Sequence, residues 1–505
     1  VPTDVPDGGP GADLLELLNS RDFYTVYPPL SQEVFYVGSV IGSSVWAADY
    51  YAIKLIILLI EFLGVLILAG MVSGRRAVLY AWNPVVVIEV AGQGHTEGLA
   101  VGLVLLGVLL LRHERYGGSA AAITAAGMVK LVPFLALPFV WRKGGWLSLF
   151  VSMAVGIVIA FPYLNLDAVA NAVESLRLYV SYFEFNAGLY YVTKWVFELV
   201  TGTDQSKFIG PMFGWLFVLA LPVIYYLDFR HNWSLERALI VLLSAFFLLS
   251  TTLHPWYVVP LLGLLVLEER IRWHWYWMSI LSSGTYLLYV GGPYELFVGL
   301  TWSVWAFAAL AYHRDSALQW IQRRRAASKF AFISDWIEPR RGVSVLDLGA
   351  GEGYVGVEAQ RRLNADVKLA DVVDLNRTGL PFSLVGPGRL GFESDSFDYV
   401  ILYFVLHHAE DPVAVVTEAA RVARHGVVVV ESVYETPLQL RLLGFLDRFA
   451  NRIRSGGRMR AQEEFLHFRK TDRWRQLFEE LGLRVERERA GGNWIHRQAA
   501  FLVSK

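Results

Sequence analysis

The sequence contains no cysteine, which excludes disulfide bonds and thiolate metal sites. A charge surplus is missing too: 45 Lys and Arg stand against 46 Asp and Glu, leaving −1 at neutral pH. Without a basic excess no nucleic-acid partner is expected, and no metal-ligand set is expected either. A signal-peptide pattern is absent. The opening V-P-T-D-V-P-D-G-G-P-G reads as the middle of a loop, so residues 1–30 are expected to be an extracytoplasmic loop that continues upstream of Val1. Charge is scarce locally as well. It is sparse up to about Ala311 and dense after His313. The reading is a transmembrane domain over 31–313, a basic cytoplasmic linker over 314–341 and a soluble domain over 342–505.

What is present in the first part is apolar sequence in long runs. A span needs about 20 apolar residues, with Lys and Arg at its cytoplasmic flank. Ser31–Trp46 is too short and is expected to dip in, whereas Tyr51–Val72 is long enough and ends at Arg75-Arg76. Gly117–Trp141 has cations at both ends (Arg115, then Arg142 and Lys143), which suits a re-entrant hairpin with Lys130 near its apex. Continuing the count gives about nine spans and places the soluble half in the cytoplasm. Tyr27, Gln32, His95, Glu97, Asn186, His254 and Tyr257 then share the outer face. The aromatic stretch that includes Tyr179, Tyr182, Phe183 and Tyr190 reads as a segment lying in the interface.

Ionisable groups inside apolar segments are costly and mark functional sites by default. Glu89, His95, Glu97 and Lys130 are the cases here. Glu89 also suits a core hydrogen-bonding role, and Pro28, Pro29, Pro84 and Pro133 suit helix capping or breaking equally well. With Y-P-P-L-S-Q, W-N-P, G-H-T-E-G-L-A, V-K-L-V-P-F, F-N-A-G-L-Y and H-P-W-Y in this order, the first part resembles the GT-C polyprenyl-phosphate-dependent glycosyltransferases, the bacterial α-mannosyltransferases in particular. The resemblance implies sugar transfer, mannose being the expected sugar, from a polyprenyl-phosphate donor to an extracytoplasmic glycolipid or glycan. Such chemistry needs a carboxylate to take the acceptor proton and cations to hold the leaving phosphate. Glu97, Lys130, His254 and His95 are the candidate catalytic residues. Tyr27, Gln32, Asn186 and Tyr257 are the candidate donor- and acceptor-binding residues. The family's acid precedes the Y-P-P motif, where this chain offers only Asp4, Asp7, Asp13, Glu16 and Asp22, none in the family's acidic-aromatic context.

From Gly342 the pattern changes to strand–loop–helix alternation, the mark of a parallel α/β sheet. S-V-L-D-L is a buried strand, G-A-G-E-G a turn, and the next strand ends at Asp371, 18 residues after Gly353. Arg484–Glu488 and Gln498–Val503 read as a closing pair. With F-D-Y-V and L-H-H downstream, this part resembles the class I S-adenosylmethionine-dependent methyltransferases, whose domain is Rossmann-like. The resemblance implies S-adenosyl-L-methionine as cofactor, with Asp347, Gly349, Gly351 and Gly353 around its methionine part and Asp371 on the ribose hydroxyls; Asp374 is the other acid in reach. The Pro387–Phe392 loop lacks the acid that relatives often carry there. His407 and His408 read as packing residues ahead of a base, and Leu438–Phe468 as an amphipathic cover or a surface helix.

The combined reading is a bifunctional enzyme of the cell membrane, with sugar transfer outside and methylation inside. Its rival is a membrane-anchored methyltransferase whose transmembrane half is a non-catalytic scaffold. A transporter would need inverted repeats of broken helices, which the sequence does not show.

Overall fold

The change in charge density near residue 312 is also a division of the fold, into Val1–Tyr312 and His313–Lys505. The computed structural model describes residues 24–43, 45–163, 183–338, 342–386, 389–455 and 466–505, with 167, 170, 171, 174 and 175. The expectations on Asp4, Asp7, Asp13, Glu16, Asp22, Tyr179, Tyr182 and the Pro387–Gly388 turn lie outside the described residues.

The first unit is helical. It comprises α1 (Pro29–Gly42), α2 (Trp46–Met71), α3 (Gly74–Ala81), a π-helix (Val86–Gly92), α4 (Glu97–Arg112), α5 (Tyr116–Val129), a 3-10 turn (Val132–Ala136) and α6 (Leu137–Ala160). Then come α7 (Gly188–Thr201), α8 (Ser206–His231), α9 (Leu235–Leu248), a 3-10 turn (Pro255–Val258), α10 (Val259–Leu265), α11 (Trp273–Ser282), a 3-10 stretch (Ser283–Val290) and α12 (Tyr294–Ala331), whose residues from His313 onward belong to the second unit. The α1 start has Pro28 as N-cap and Pro29 at its first position, where a missing N–H costs nothing. Glycine sets the closest approach: a Cβ on Gly64 of α2 would stand 2.9 Å from the Gly102 Cα of α4.

Among the described residues four helices are long and apolar enough to cross a membrane: Trp46–Met71, Val132–Tyr163, Ser206–His231 and Tyr294–Trp336. Val86–Gly92 and Glu97–Arg112 make a fifth only if taken as one span bent by 111°. By this measure about nine is not reached, because α5 and α9 are 14 residues each and α11 is 10, short of the roughly 20 a crossing needs. The long helices carry exposed apolar side chains, Leu59, Phe62 and Leu66 on α2 and Phe150 and Ile157 on α6 among them, a surface suited to lipid. In the 117–141 stretch the helix breaks at Lys130, which is extended (φ −142°, ψ 140°). The chain re-enters a helix at Leu137 and kinks at Gly145 (φ 56°), so Arg142 and Lys143 lie within α6.

The second unit is a seven-stranded sheet in the order β3-β2-β1-β4-β5-β7-β6. Its elements are β1 (Ser344–Leu348), α13 (Tyr354–Leu363), β2 (Asp366–Asp371), β3 (Phe382–Leu384), β4 (Phe397–Tyr403), α14 (Pro412–Val422), β5 (Ala423–Val433), α15 (Pro437–Ser455), α16 (Thr471–Glu480), β6 (Arg484–Gly492) and β7 (Arg497–Ser504). β1 to β5 pair in parallel and β7 runs antiparallel to both neighbours. The valine run of β5 shows why the sheet is covered on both faces: Val427 and Val429 enter one core, Val428 and Val430 the other. The stretch expected as a linker is helical to Ala331, and Phe330, Ile333, Trp336 and Ile337 complete the second of those cores. Strand order reverses between β1 and β4, which makes the carboxyl ends of these strands the natural ligand crevice.

Candidate functional site

In the first unit, two helix ends create an ion pair. Glu97 is the first residue of α4, where a helix favours negative charge, and Lys130 follows the last residue of α5, where it favours positive charge. Lys130 Nζ lies 3.0 Å from Glu97 Oε1. Glu97 Oε2 is buried and has no hydrogen-bond partner among the described residues. His95 stands between two carboxylates, 3.4 Å from Glu89 and 3.9 Å from Glu97. Glu89 is held there by the π-helix and by Tyr286, whose hydroxyl lies 2.8 and 2.9 Å from its two oxygens. π-Helical turns are frequent at functional positions.

Aromatic rings extend the cluster. His95 stacks on Trp256 at 4.2 Å, Trp256 on His254 at 4.3 Å, and His254 on Phe185 at 4.5 Å, a column of four rings. The Tyr27 ring lies 4.7 Å from Lys130 Nζ. Gln32 donates to the Tyr27 carbonyl at 3.2 Å and so shapes the Y-P-P turn. Tyr257 touches His254 edge-on and donates its backbone N–H to the His254 carbonyl. Asn186, at φ 49°, is a buried bracket: its N–H donates to Tyr294, its carbonyl accepts from Trp302, and its side-chain amide donates to Leu253. Thus Tyr27, His95, Glu97, Lys130 and His254 come together, with Gln32, Asn186 and Tyr257 supporting them. Sequence reasoning missed Tyr286 altogether. Trp256 lay within H-P-W-Y but was given no role.

In the second unit a cavity of about 1340 Å³ opens at the carboxyl ends of β1, β2 and β4. That exceeds the roughly 300–1,000 Å³ of a typical small-molecule pocket and leaves room for two ligands. Asp347, Gly349, Gly351 and Asp371 line it. Gly349 (φ 75°) meets Val405, which would stand 2.4 Å from a Cβ there, whereas Gly351 (φ 56°) has none of the described residues within 4 Å of that position. The Gly351 backbone is therefore open to a ligand. Gly353 (φ 83°) turns away, its Cβ position 2.6 Å from Leu369, and serves helix–sheet packing.

Asp371 accepts from the N–H groups of Gly351 at 2.7 Å, Val372 at 2.7 Å and Val373 at 3.3 Å, so it shapes the glycine loop. Asp374 accepts from Asn376. Asp347 accepts from the Gly356 N–H at 2.9 Å; burial, with the charge of Asp371 added, pushes its carboxyl up to about 7. Farther along the wall, His407 Nδ1 lies 2.6 Å from Glu431 Oε2. Burial alone would depress His407, but Glu431 and Asp447 outweigh it and push it up to about 9.

The comparisons fall on the same two units. Residues 318–488 match the family model described as a methyltransferase domain, and residues 25–143 match that of the alpha-(1->6)-mannopyranosyltransferase N-terminal domain. The chain pairs two transferase-like parts. One curated relative is alpha-(1->6)-mannopyranosyltransferase A of Corynebacterium glutamicum, 32% identical over 139 residues. The match spans 26% of this chain and 28% of that protein, so it reaches only part of the relative. Among solved structures, the YcgJ protein of Bacillus subtilis is 14% identical, covering 35% of this chain and 96% of its own, with a TM-score of 0.28. A SAM-dependent methyltransferase from Aquifex aeolicus is likewise 14% identical, covering 36% and 89%, with a TM-score of 0.25.

The cofactor expected of the methyltransferase-like part is S-adenosyl-L-methionine, and the residues fit that group. The open Gly351 backbone, two acidic side chains at adjacent strand ends and the cavity volume suit a positively charged nucleoside derivative. The mannosyltransferase-like match begins at residue 25 and ends at residue 143. It therefore includes Tyr27, His95, Glu97 and Lys130 but neither Asn186 nor His254.

Proposed function

We propose that the first unit, set in the cell membrane, transfers a hexose, mannose by its resemblance, from a polyprenyl-phosphate donor to a glycolipid or glycan hydroxyl on the extracytoplasmic side. The observation that carries this reading is the Glu97 carboxylate. Lys130 anchors one oxygen, and the other is buried without a hydrogen-bond partner among the described residues. That second oxygen accepts the proton of the acceptor hydroxyl. The acceptor oxygen then bonds to the anomeric carbon as the bond from that carbon to the phosphate oxygen breaks, and the electron pair leaves with the phosphate. Lys130 and His254, with His95 between the two carboxylates, balance the charge on the departing phosphate. Tyr27, Gln32, Asn186 and Tyr257 shape the walls that hold donor and acceptor.

The second unit methylates a nucleophile on the cytoplasmic side. When bound, the cofactor supplies an electrophilic methyl group on sulfur. The chain's own work is alignment: Gly349 and Gly351 give a close backbone seat, Asp347 faces the positive part of the cofactor and Asp371 accepts a ribose hydroxyl.

The test is transfer of radiolabelled mannose from polyprenyl-phosphate mannose by the full chain in lipid nanodiscs, beside calorimetric binding of S-adenosylmethionine. Glu97→Gln is expected to lower transfer by about 100-fold or more and to leave cofactor affinity unchanged. Wild-type protein that binds the cofactor but transfers no sugar to any glycan or glycolipid acceptor would leave the first unit as a scaffold.

A further inference from the structure

Outside the glycine loop, the wall of the second-unit cavity carries a cluster the two proposed reactions do not use. His407 and His408 follow one another on a short 3-10 turn (Leu406–His408) after β4. Both rings reach the same carboxylate on α15: His407 Nε2 is 3.7 Å from Asp447 Oδ1, and His408 Nε2 is 3.2 Å from Asp447 Oδ2. One ligating atom from each of the three residues lies within 4.8 Å of the others. The His407 side chain is 1% exposed, that of His408 12% and that of Asp447 23%, so this is not a chance gathering on a solvated face.

The outer contacts make the arrangement specific. Glu431, itself fully buried, lies 2.6 Å from His407 Nδ1 and accepts the N–H groups of Val405 and Leu406 at 3.0 and 2.7 Å. A carboxylate locked in that way holds a proton on Nδ1, so an ion that displaces the Nε2 proton is met by a lone pair on the side facing Asp447. A carboxylate behind a ligating imidazole is the usual outer partner of metal-bound histidine. Phe468 stacks on the His407 ring at 4.7 Å and fixes its plane. Asn451 Nδ2 donates to Asp447 at 3.0 Å and lies 3.2 Å from His408 Nε2.

The geometry points to a divalent transition-metal site of the zinc class, ligated by His407 Nε2, His408 Nε2 and one oxygen of Asp447. Ligands about 2.0–2.2 Å from a tetrahedral zinc stand roughly 3.4 Å apart. The 3.7 and 3.2 Å contacts run to the two different oxygens of Asp447, and one ligating atom from each residue lies within 4.8 Å of the others, so side-chain shifts that bring one oxygen to both rings admit the ion. Entry of the ion moves Asn451 Nδ2 away from His408 and keeps its bond to Asp447. His408, Asp447 and Asn451 all line the cavity. The fourth coordination position therefore faces the space where a methyl acceptor would lie, as in metal sites that keep one position open for a substrate oxygen. The buried carboxylate of Glu431 and the partly buried one of Asp447, facing two histidines, also provide the negative charge that a divalent ion neutralises.

This site does not depend on either proposed reaction, and its test reads the metal directly. The full chain, free of any affinity tag and stripped with a chelator, is titrated with cobalt(II) in detergent and followed by its visible d–d bands. Zinc content is measured separately after desalting. The expected result is about one zinc per chain and a tetrahedral cobalt spectrum. His408→Ala and Asp447→Asn should each weaken binding more than 10-fold while the variants keep wild-type circular dichroism. Glu431→Gln, which would touch no metal, should weaken binding by about 10- to 100-fold. Wild-type chain that retains no zinc and gives no cobalt band overturns the site. So does a His408→Ala, Asp447→Asn double variant that is folded and binds as tightly as wild type.

Discussion

Lys130 and Glu97 meet at 3.0 Å because the chain puts each at the helix end whose dipole it complements. Removing the cation alone leaves a buried carboxylate uncompensated, a change that costs about 3–5 kcal/mol when a buried pair is broken. Lys130→Met should therefore lower the melting temperature in detergent and abolish sugar transfer. The Lys130→Met, Glu97→Gln double variant should recover most of the stability and none of the transfer. Equal melting temperatures for the single and double variants would mean that the pair is solvated and not a buried contact.

The ring column predicts a graded effect at Trp256. An aromatic contact adds about 0.5–1.5 kcal/mol beyond the area it buries, and Trp256 stacks on His95 and His254 and meets Tyr257 edge-on. Trp256→Ala should cut kcat of sugar transfer by roughly 10-fold or more through loss of both histidine orientations. Trp256→Phe should retain most of the rate, since a ring still fills the gap. A kcat that ignores both substitutions would place the column outside the site.

Gly349 and Gly351 share a positive φ but not a neighbourhood. A Cβ at Gly349 would stand 2.4 Å from Val405, while the same atom at Gly351 would meet none of the described residues within 4 Å. Gly351→Ala should cost only the backbone term, about 1 kcal/mol. Gly349→Ala adds a steric overlap with a branched side chain and should cost several kcal/mol. Thermal melts of the two variants with and without S-adenosylmethionine separate the cases. Gly351→Ala should melt near wild type yet respond weakly to the cofactor, because its new methyl group would occupy the seat.

How far the sequence disclosed these sites depends on what marked each residue. His95, Glu97 and Lys130 stood out because charge among apolar residues is costly; His254 was grouped with them only through a count of crossings that the helix lengths do not reach. The sheet was legible in its strands, since β1, β4 and β5 are apolar runs bounded by glycine and polar turns. Tyr286 was not legible. It lies in the apolar T-Y-L-L-Y-V stretch, and only the 3-10 path of Ser283–Val290 carries its hydroxyl to Glu89. Asp447 reads in sequence as a charge on an amphipathic helix; only when α15 lies along the cavity does it face two histidines. The count of crossings differed for a related reason. Composition does not show where an apolar run breaks, and the breaks at Lys130 and after Leu248 leave helices of 14 residues.

Asp347 gives a prediction whose sign can be worked out. Its carboxyl is pushed up to about 7 by burial, with Asp371 adding to the effect while the Gly356 N–H and Lys329 oppose it. An unfolded aspartate titrates near 3.9. Between about pH 4 and pH 7 the folded state therefore holds a proton that the unfolded chain has released. Stability contributed through this group falls as pH rises across that window and is level above it. Asp347→Asn removes the slope and should raise the cofactor-responsive melting transition at pH 8 relative to wild type, with little change at pH 4. Cofactor binding should move the other way. A positively charged ligand favours the ionised carboxylate, so wild-type Kd should tighten as pH rises through about 7, and the asparagine variant should bind weakly at every pH. A melting transition that loses no slope in Asp347→Asn would assign the pH dependence to another group.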